Sequence, residues 1–81
     1  MTATLYALTT CPYCRMTKKY LDENDVEYDA IDVDLLEGDE RAVVVADVKN
    51  LSGGTSFPVL VIGEEVIVGF NKAAMKERLG L

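Results

Sequence analysis

The sequence contains no histidine, no tryptophan, and only two cysteines and two prolines. Without histidine, no imidazole can act as a base, so Cys–His protease chemistry is excluded. Two cysteines alone also cannot fill a tetrahedral zinc site within one chain. The scarcity of proline and the 49% share of hydrophobic residues favour a folded domain over a disordered chain.

The chain also has no excess of positive charge. Its 14 acidic and 8 basic residues give a formal net charge of −6, so nucleic acid is not an expected partner, because no basic surplus can neutralise phosphates. No apolar run approaches the roughly 18 residues of a membrane span. The first residues lack the basic and apolar segments of a secretory signal. We therefore expect one domain over residues 1–81, in the cytoplasm, with no membrane contact and as a monomer.

The two cysteines lie in the tetrad Cys11-Pro12-Tyr13-Cys14, between a strand-like run at 2–9 and a helix-like run that extends to residue 24. A helix N-terminus carries partial positive charge and unpaired N–H groups, which favour a thiolate there. Pro12 suits the first helical position, where its missing N–H costs nothing. Two thiols at this point are placed for reversible disulfide chemistry. They close too short a ring to act as a structural staple.

Helical spacing distinguishes the two thiols. Cys14, Thr17 and Leu21 fall on one stripe of the predicted helix, which indicates that Cys14 points toward the core while Cys11 sits at the helix tip. The opposite, solvent-facing side is predicted to carry the charged residues Arg15, Lys18, Lys19 and Asp22. We therefore predict that Cys11 is the attacking thiol and Cys14 the resolving one.

The remaining segments are predicted, in chain order, as a strand at 26–33, a helix at 39–49, strands at 59–62 and 66–68, and a helix at 72–79. Asp39 and Asn71 are the expected caps of the two helices, and Gly80 ends the last one. The run Val43-Val44-Val45 would also suit a strand. Gly63-Glu64 suits a tight hairpin, so the last two strands should be antiparallel and the first two, joined by a helix, parallel.

With this element order and length, the tetrad resembles that of a dithiol glutaredoxin. Two further motifs extend the resemblance over essentially the whole chain. Thr55-Ser56-Phe57-Pro58 sits where the family has its Thr-X-Pro turn, one residue longer or shifted, and Gly69-Phe70-Asn71-Lys72 where it has a second glycine-containing turn. The resemblance implies an α/β, thioredoxin-like fold: a four-stranded mixed sheet with three helices in the order β-α-β-α-β-β-α.

The resemblance also implies thiol–disulfide exchange catalysed by Cys11 and Cys14. Disulfide-bearing proteins would be the targets, with glutathione as a co-substrate, no permanently bound cofactor and no metal. In such folds the proline that matches Pro58 is cis and faces the active site, although sequence physics alone favours trans. Substrate or glutathione binding is implied for the residues around these motifs: Thr10, Pro12, Tyr13, Ser56, Phe57, Pro58, Gly69, Phe70, Asn71 and Lys72.

The sequence departs from the family pattern at two places. Thr9 stands where glutathione-using members usually carry a basic residue, and Gly69 stands alone where they usually have paired glycines. The Gly69-Phe70 turn is similar to that of redoxins that serve ribonucleotide reductase and are recharged by thioredoxin reductase. The electron source is thus either glutathione or an enzyme of the thioredoxin-reductase type.

Several alternatives stand beside this interpretation. A dimer that holds a [2Fe–2S] cluster with glutathione is a function of another class, and a structural domain with a buried disulfide is a third. Tyr13 either lines the substrate groove or is plain helix surface. Phe70 is either a core residue or an exposed anchor for a partner. Lys72 is either solvated or binds an anion near the start of the last helix.

Overall fold

The computed structural model describes residues 3–54 and 56–81. It confirms the thioredoxin-like fold class, with a four-stranded mixed sheet and three α-helices. The elements are β1 (Ala3–Ala7), α1 (Pro12–Glu23), β2 (Tyr28–Asp32), α2 (Gly38–Ser52), β3 (Val59–Ile62), β4 (Glu65–Val68) and α3 (Lys72–Leu79). One turn of 3₁₀ helix, Val33–Leu35, follows β2. The predictions made for Thr2 and Thr55 lie outside the described residues.

The sheet has the strand order β2-β1-β3-β4. Strands β1 and β2 are parallel, with Ala7 opposite Asp32 at their ends, and β3 is antiparallel to both β1 and β4. The parallel β1–β2 and antiparallel β3–β4 pairings were predicted, whereas the β1–β3 pairing was not. Because parallel strands end at the same edge of a sheet, the tetrad that follows β1 and the 3₁₀ turn that follows β2 meet at this edge. Strand β1 ends two residues earlier than predicted, and β2 begins two residues later and ends one residue earlier than predicted.

Helix α1 packs one stripe onto the sheet. Cys14, Thr17 and Leu21 are buried, which confirms the predicted stripe. Lys18 was predicted to lie on the solvent-facing side of α1, and this prediction is wrong. Its side chain is half-buried, and its Nζ lies 2.8 Å from Oδ1 of Asp32. Lys18 follows Cys14 by four residues, about one helical turn, so it lies beside the buried stripe and not opposite to it, and its side chain reaches the end of β2.

Helix α2 extends beyond the prediction at both ends. The predicted cap, Asp39, lies inside the first turn, and the cap position is held by Glu37 without a side-chain hydrogen bond. The carboxylates of the first turn instead face the positive end of the helix dipole. The helix ends at Gly53 with φ 75°, whose N–H donates to the carbonyl of Lys49 at 2.8 Å.

The hairpin and the last helix match the prediction closely. Gly63 has φ 60° and opens the two-residue turn, although β4 begins at Glu65, one residue earlier than predicted. The Asn71 side chain accepts a hydrogen bond from the N–H of Ala74 at 3.1 Å and caps α3. Gly80, with φ 72°, ends this helix.

The main core lies between one face of the sheet and the helices α1 and α3. Leu5 and Leu60 from the central strands cluster there with Leu21 of α1 and Met75 of α3. Helix α2 lies against the other face through Val48, which is fully buried. Coverage on that side is incomplete, since Thr4 and Tyr6 of β1 are only half-buried.

Candidate active site

The tetrad forms the junction between β1 and α1. Cys11 is the N-cap residue of α1, and its Sγ accepts a hydrogen bond from the N–H of Cys14 at 3.3 Å. Pro12 occupies the first helical turn, as predicted. Cys11 is half-buried and both cysteines are free thiols. A backbone N–H is thus aimed at the Cys11 sulfur, which lies at the N-terminal end of the helix dipole.

Cys14 lies in a different environment. Its side chain is fully buried and belongs to the main core cluster. Burial, together with the hydrogen bond to Cys11, raises the pKa of the Cys14 thiol to about 11. At neutral pH Cys14 is therefore protonated and shielded, whereas Cys11 is accessible. This asymmetry fits the predicted roles of attacking and resolving thiol, which stay a prediction.

The residues beside Cys11 are exposed. Thr10, Pro12 and Tyr13 all face solvent, and the Tyr13 ring is 61% exposed. The carbonyl of Tyr13 accepts a hydrogen bond from the Thr17 hydroxyl at 2.9 Å, which ties the tetrad to the buried stripe of α1. The two thiols are thus held by buried neighbours while the surface around Cys11 is accessible to a partner.

Thr9, in the loop before the tetrad, is anchored by Asp34 of the 3₁₀ turn. Its N–H donates to Asp34 Oδ1 at 3.0 Å, and its hydroxyl donates to Asp34 Oδ2. These hydrogen bonds hold the pKa of the Asp34 carboxyl below its usual range. The position where glutathione-using relatives usually carry positive charge is therefore occupied by a threonine bound to a carboxylate.

The two other motifs lie side by side. The Phe57–Pro58 peptide bond is cis, as the resemblance implies, and Pro58 is buried. The N–H of Gly69 donates to the carbonyl of Pro58 at 2.8 Å. This bond extends the pairing of β3 with β4 and joins the Ser56–Pro58 and Gly69–Lys72 segments.

The segment after Gly69 packs against α1. Phe70 is half-buried, and its ring meets that of Tyr20 edge-on, with centroids 6.4 Å apart. Lys72 Nζ lies 5.5 Å from the centroid of the same Tyr20 ring, a distance at which the π face attracts a cation. Phe70 was predicted to be either a core residue or an exposed anchor, and the structure places it at the edge of the core with part of its ring accessible. Asn71 is committed to capping α3 through its side chain.

Comparison with known proteins decides the family. The glutaredoxin family model matches residues 3–67, well over half of the chain. The chain belongs to the glutaredoxin family. A sequence relative described as an uncharacterised glutaredoxin-like 8.6 kDa protein in the rubredoxin operon of Clostridium pasteurianum is 35% identical over 71 residues, 85% of each chain.

Solved structures of glutaredoxins agree with this assignment. The glutaredoxin of Archaeoglobus fulgidus is 38% identical, with a TM-score of 0.92 over 95% of this chain and 84% of that one. The methanoredoxin of Methanosarcina acetivorans is 34% identical, with a TM-score of 0.93 over 99% and 85%. A buckwheat glutaredoxin, solved as a complex with glutathione, is 26% identical, with a TM-score of 0.74 over 96% and 69%.

The fold of this glutaredoxin-family protein brings most of the predicted site residues near one end of the sheet. Cys11, Phe57 and Phe70 all pack against the cluster that contains Cys14. Their roles in binding stay a prediction, as do those of Thr10, Tyr13, Ser56 and Lys72.

Sequence reasoning missed the polar partners of these residues. Asp34 is 25 positions from Thr9, and Asp32 is 14 positions from Lys18. Nothing in helical or strand periodicity links such pairs. The one available signal was the parallel β-α-β unit, which places residues that follow β1 and β2 at the same sheet edge.

Two general features of the described residues bear on the remaining predictions. Over residues 3–54 and 56–81, no three histidine, cysteine, aspartate or glutamate side chains are grouped so that they could hold a metal ion. Within the same residues, no helix has both the length and the apolar character needed to cross a membrane.

Proposed function

We propose that this glutaredoxin-family protein is a dithiol thiol–disulfide oxidoreductase that reduces protein disulfides or glutathione mixed disulfides in the cytoplasm. The observation that carries the proposal is the unequal placement of two free thiols at one helix N-terminus. Cys11 is accessible and receives a backbone N–H, whereas Cys14 is buried three residues later. A reducing compartment such as the cytosol would keep both thiols free.

The proposed reaction has two exchange steps. The Cys11 thiolate attacks a disulfide of the target, forms a mixed disulfide and releases one target sulfur as a thiolate. Cys14 then loses its proton and attacks Cys11, which forms the Cys11–Cys14 disulfide and releases the second target sulfur. The target gains two electrons and the protein loses two. A reductant afterwards returns two electrons and reopens the Cys11–Cys14 bond.

The target would bind across the exposed surface next to Cys11. Tyr13 supplies an exposed aromatic ring on one side of Cys11. Ser56, Phe57 and Gly69 belong to the two segments joined by the Gly69–Pro58 hydrogen bond. Glutathione as a co-substrate is supported by family membership and by the glutathione complex of the buckwheat glutaredoxin. No permanently bound cofactor is part of the proposal.

A second candidate electron source is an enzyme of the thioredoxin-reductase type. The specific observation in its favour is the Thr9–Asp34 contact, which places a carboxylate where glutathione-using relatives usually carry a basic residue. Such a carboxylate would repel the carboxylates of glutathione. In that case the protein would serve as a redoxin for a reductive enzyme such as ribonucleotide reductase.

The deciding experiment compares two NADPH-coupled assays of the same oxidised protein. One contains glutathione and glutathione reductase, and the other contains thioredoxin reductase. Turnover with glutathione would support the first electron source, and turnover with thioredoxin reductase alone would support the second. The Cys11→Ser variant is the matched control and should be inactive in both. If the wild-type protein exchanged no disulfide in either assay or with a small-molecule dithiol, the proposed function would be wrong.

A further inference from the structure

An ion pair lies beside the buried thiol of the tetrad. Lys18 Nζ is 2.8 Å from Asp32 Oδ1, and the two side chains are only 30% and 24% exposed. The ion pair between Lys19 and Glu23, both of which belong to α1, is longer at 3.8 Å and is largely exposed. A pair that is mostly removed from water interacts with its surroundings more strongly than an exposed pair does.

The fold directs Lys18 toward Cys14. The two residues are one helical turn apart on α1, where side chains are neighbours. Helical side chains also tilt toward the N-terminus of their helix, so that Lys18 leans toward the turn that contains Cys14. Asp32 pairs with Ala7 in the parallel register, and Ala7 belongs to the same buried cluster as Cys14. The ion pair therefore bridges α1 and the end of β2, one helical turn from Cys14 along α1.

Few charged or titratable groups act on Cys14. Burial and the hydrogen bond to Cys11 disfavour its thiolate, whereas the backbone of Leu8 and the positive charge of Lys18 favour it. On the sheet side, its cluster neighbours from β1, β3 and β4 are uncharged, among them Ala7, Leu60 and Ile67. Lys18 therefore favours the Cys14 thiolate, although more weakly than burial and the Cys11 hydrogen bond oppose it, and Asp32 of β2 is the carboxylate paired with Lys18.

We propose that the Lys18–Asp32 ion pair, one helical turn from Cys14, tunes the resolving step of disulfide exchange. Lys18 stabilises the Cys14 thiolate through space, and Asp32 both positions the ammonium and moderates its charge. Neither residue touches the reacting sulfurs, so both are positioning residues. This inference rests on the proposed function, because the Lys18–Asp32 pair acts on the second of the two proposed exchange steps, the attack of Cys14 on Cys11.

The step itself is balanced without any further reactant. The Cys14 thiol releases its proton to solvent, and the resulting thiolate attacks Sγ of Cys11 in the mixed disulfide. The bond between Cys11 and the target sulfur breaks as the Cys11–Cys14 bond forms. The target sulfur leaves with the electron pair and takes up a proton from water.

The first test titrates Cys14 without any turnover. In a Cys11→Ser background, Cys14 is the only thiol, and the NMR shift of its β-carbon against pH reports its ionisation directly. We expect Lys18→Met to raise the titration midpoint and Asp32→Asn, which keeps a hydrogen-bond acceptor for Lys18, to lower it. Lys18→Arg keeps the charge and should restore the midpoint of the Cys11→Ser parent.

The Lys19–Glu23 pair supplies matched controls on the same helix. Lys19→Met and Glu23→Gln change the net charge by the same amounts as the test variants but lie on the exposed face. Both should leave the Cys14 midpoint unchanged. Thermal unfolding of every variant would confirm that it folds. The inference is overturned if the Lys18 and Asp32 variants have the same Cys14 midpoint as the Cys11→Ser parent. It is also overturned if the two substitutions shift this midpoint in the same direction.

A second test measures the resolving step in the dithiol protein. An aromatic disulfide with a coloured thiolate product releases one thiolate when Cys11 attacks and a second when Cys14 resolves. At neutral pH, Lys18→Met should slow the second release about threefold for each unit of increase in the Cys14 pKa. The thiolate fraction falls tenfold per unit, while the greater nucleophilicity of the more basic thiolate recovers about half of that on a logarithmic scale.

The two releases separate the two proposals. Asp32→Asn should accelerate the second release, and neither variant should change the first. Equal second-phase rates in the wild type and both variants would contradict the inference while leaving the proposed function intact. Absence of the first release in the wild-type protein would contradict the proposed function, and the titration would still decide the inference.

Discussion

At the scale of single residues, the site depends on two cysteines, Cys11 and Cys14, that lie in different environments. Cys11 is half-buried and receives a backbone N–H, whereas Cys14 is buried, which raises the pKa of its thiol to about 11. The difference arises from three positions of helical rotation, which move a side chain from the helix tip to the buried stripe. The consequences are testable one residue at a time.

The first prediction concerns the two thiols. Cys11→Ser should abolish exchange with a disulfide-containing peptide, because Cys14 is buried and protonated at neutral pH. Cys14→Ser should accumulate a stable mixed disulfide with the same peptide, since no second thiol can release it. Mass spectrometry under non-reducing conditions measures both outcomes. An adduct on Cys14 in the Cys11→Ser variant would show that the assigned roles are reversed.

The second prediction concerns the carboxylate that anchors the loop before the tetrad. The pKa of Asp34 is depressed in the folded state by its hydrogen bonds from Thr9. Its contribution to stability is therefore present above the unfolded value of about 3.9 and is lost as the pH falls through the lower, folded-state pKa. Asp34→Asn should melt at a lower temperature than the wild type at neutral pH, and the difference should vanish in acid.

Asp29→Asn is the matched control for this measurement. Asp29 is an exposed aspartate of β2, so its substitution should change the melting temperature little at any pH. A difference between Asp34→Asn and the wild type that persisted unchanged into strong acid would show that the ionised carboxylate does not stabilise the loop.

At the scale of secondary structure, α2 shows most clearly how tertiary contacts override local preference. Val43-Val44-Val45 is a β-branched run that suits a strand, yet it lies inside a 15-residue helix. The helix buries Val48 against the sheet and leaves Val43 60% exposed. The side of α2 that carries Val48 therefore contributes packing energy, whereas the exposed Val43 only lowers the helix propensity.

The third prediction uses this contrast within one helix. Val48→Ala should lower the free energy of unfolding by roughly 1.5–3 kcal/mol, because it removes buried methyl groups and leaves a cavity. Val43→Ala, the same substitution at an exposed position, should be neutral or stabilising by a few tenths of a kcal/mol, since alanine is the better helix former. Urea denaturation with an unchanged m-value measures both. Equal losses at the two positions would contradict the described orientation of α2.

At the scale of the whole molecule, net charge shapes which partners approach. The chain carries −6, and glutathione disulfide is itself an anion. Like charges slow association, and salt relieves the repulsion by screening it. A local cation can reverse this trend only if it dominates the electrostatic potential near Cys11. Lys72, which lies over the Tyr20 ring, is the cation of the Gly69–Lys72 segment.

The fourth prediction follows from this charge. The rate of reaction with glutathione disulfide should rise with ionic strength, whereas the rate with a neutral disulfide such as bis(2-hydroxyethyl) disulfide should hardly change. The rate with the dication cystamine should fall, because opposite charges attract less strongly in salt. Stopped-flow measurement of the reduced protein against all three disulfides provides the comparison. A glutathione disulfide rate that falls with salt would instead indicate a positive binding site.

Features that depend on neighbours along the chain could be predicted from the residues alone. The tetrad at a helix start, the buried stripe of α1, the Asn71 cap and the parallel β-α-β unit all follow from spacing, capping and chain direction. Those are local rules, and they predicted the order of the elements, whereas the thioredoxin-like fold class was implied by the resemblance to glutaredoxins. The local rules failed at the start of α2, because they predicted Asp39 as the N-cap, whereas the N-cap is Glu37.

Contacts between residues that are far apart along the chain depend on the tertiary structure. The contacts of Asp34 with Thr9, of Asp32 with Lys18 and of Gly69 with Pro58 depend on strand register and on how the loops turn at the sheet edge. Periodicity shows which side of an element is buried, but it carries no information on which carboxylate will reach which ammonium or amide. The electrostatic environment of the two thiols therefore emerges only once the sheet is assembled.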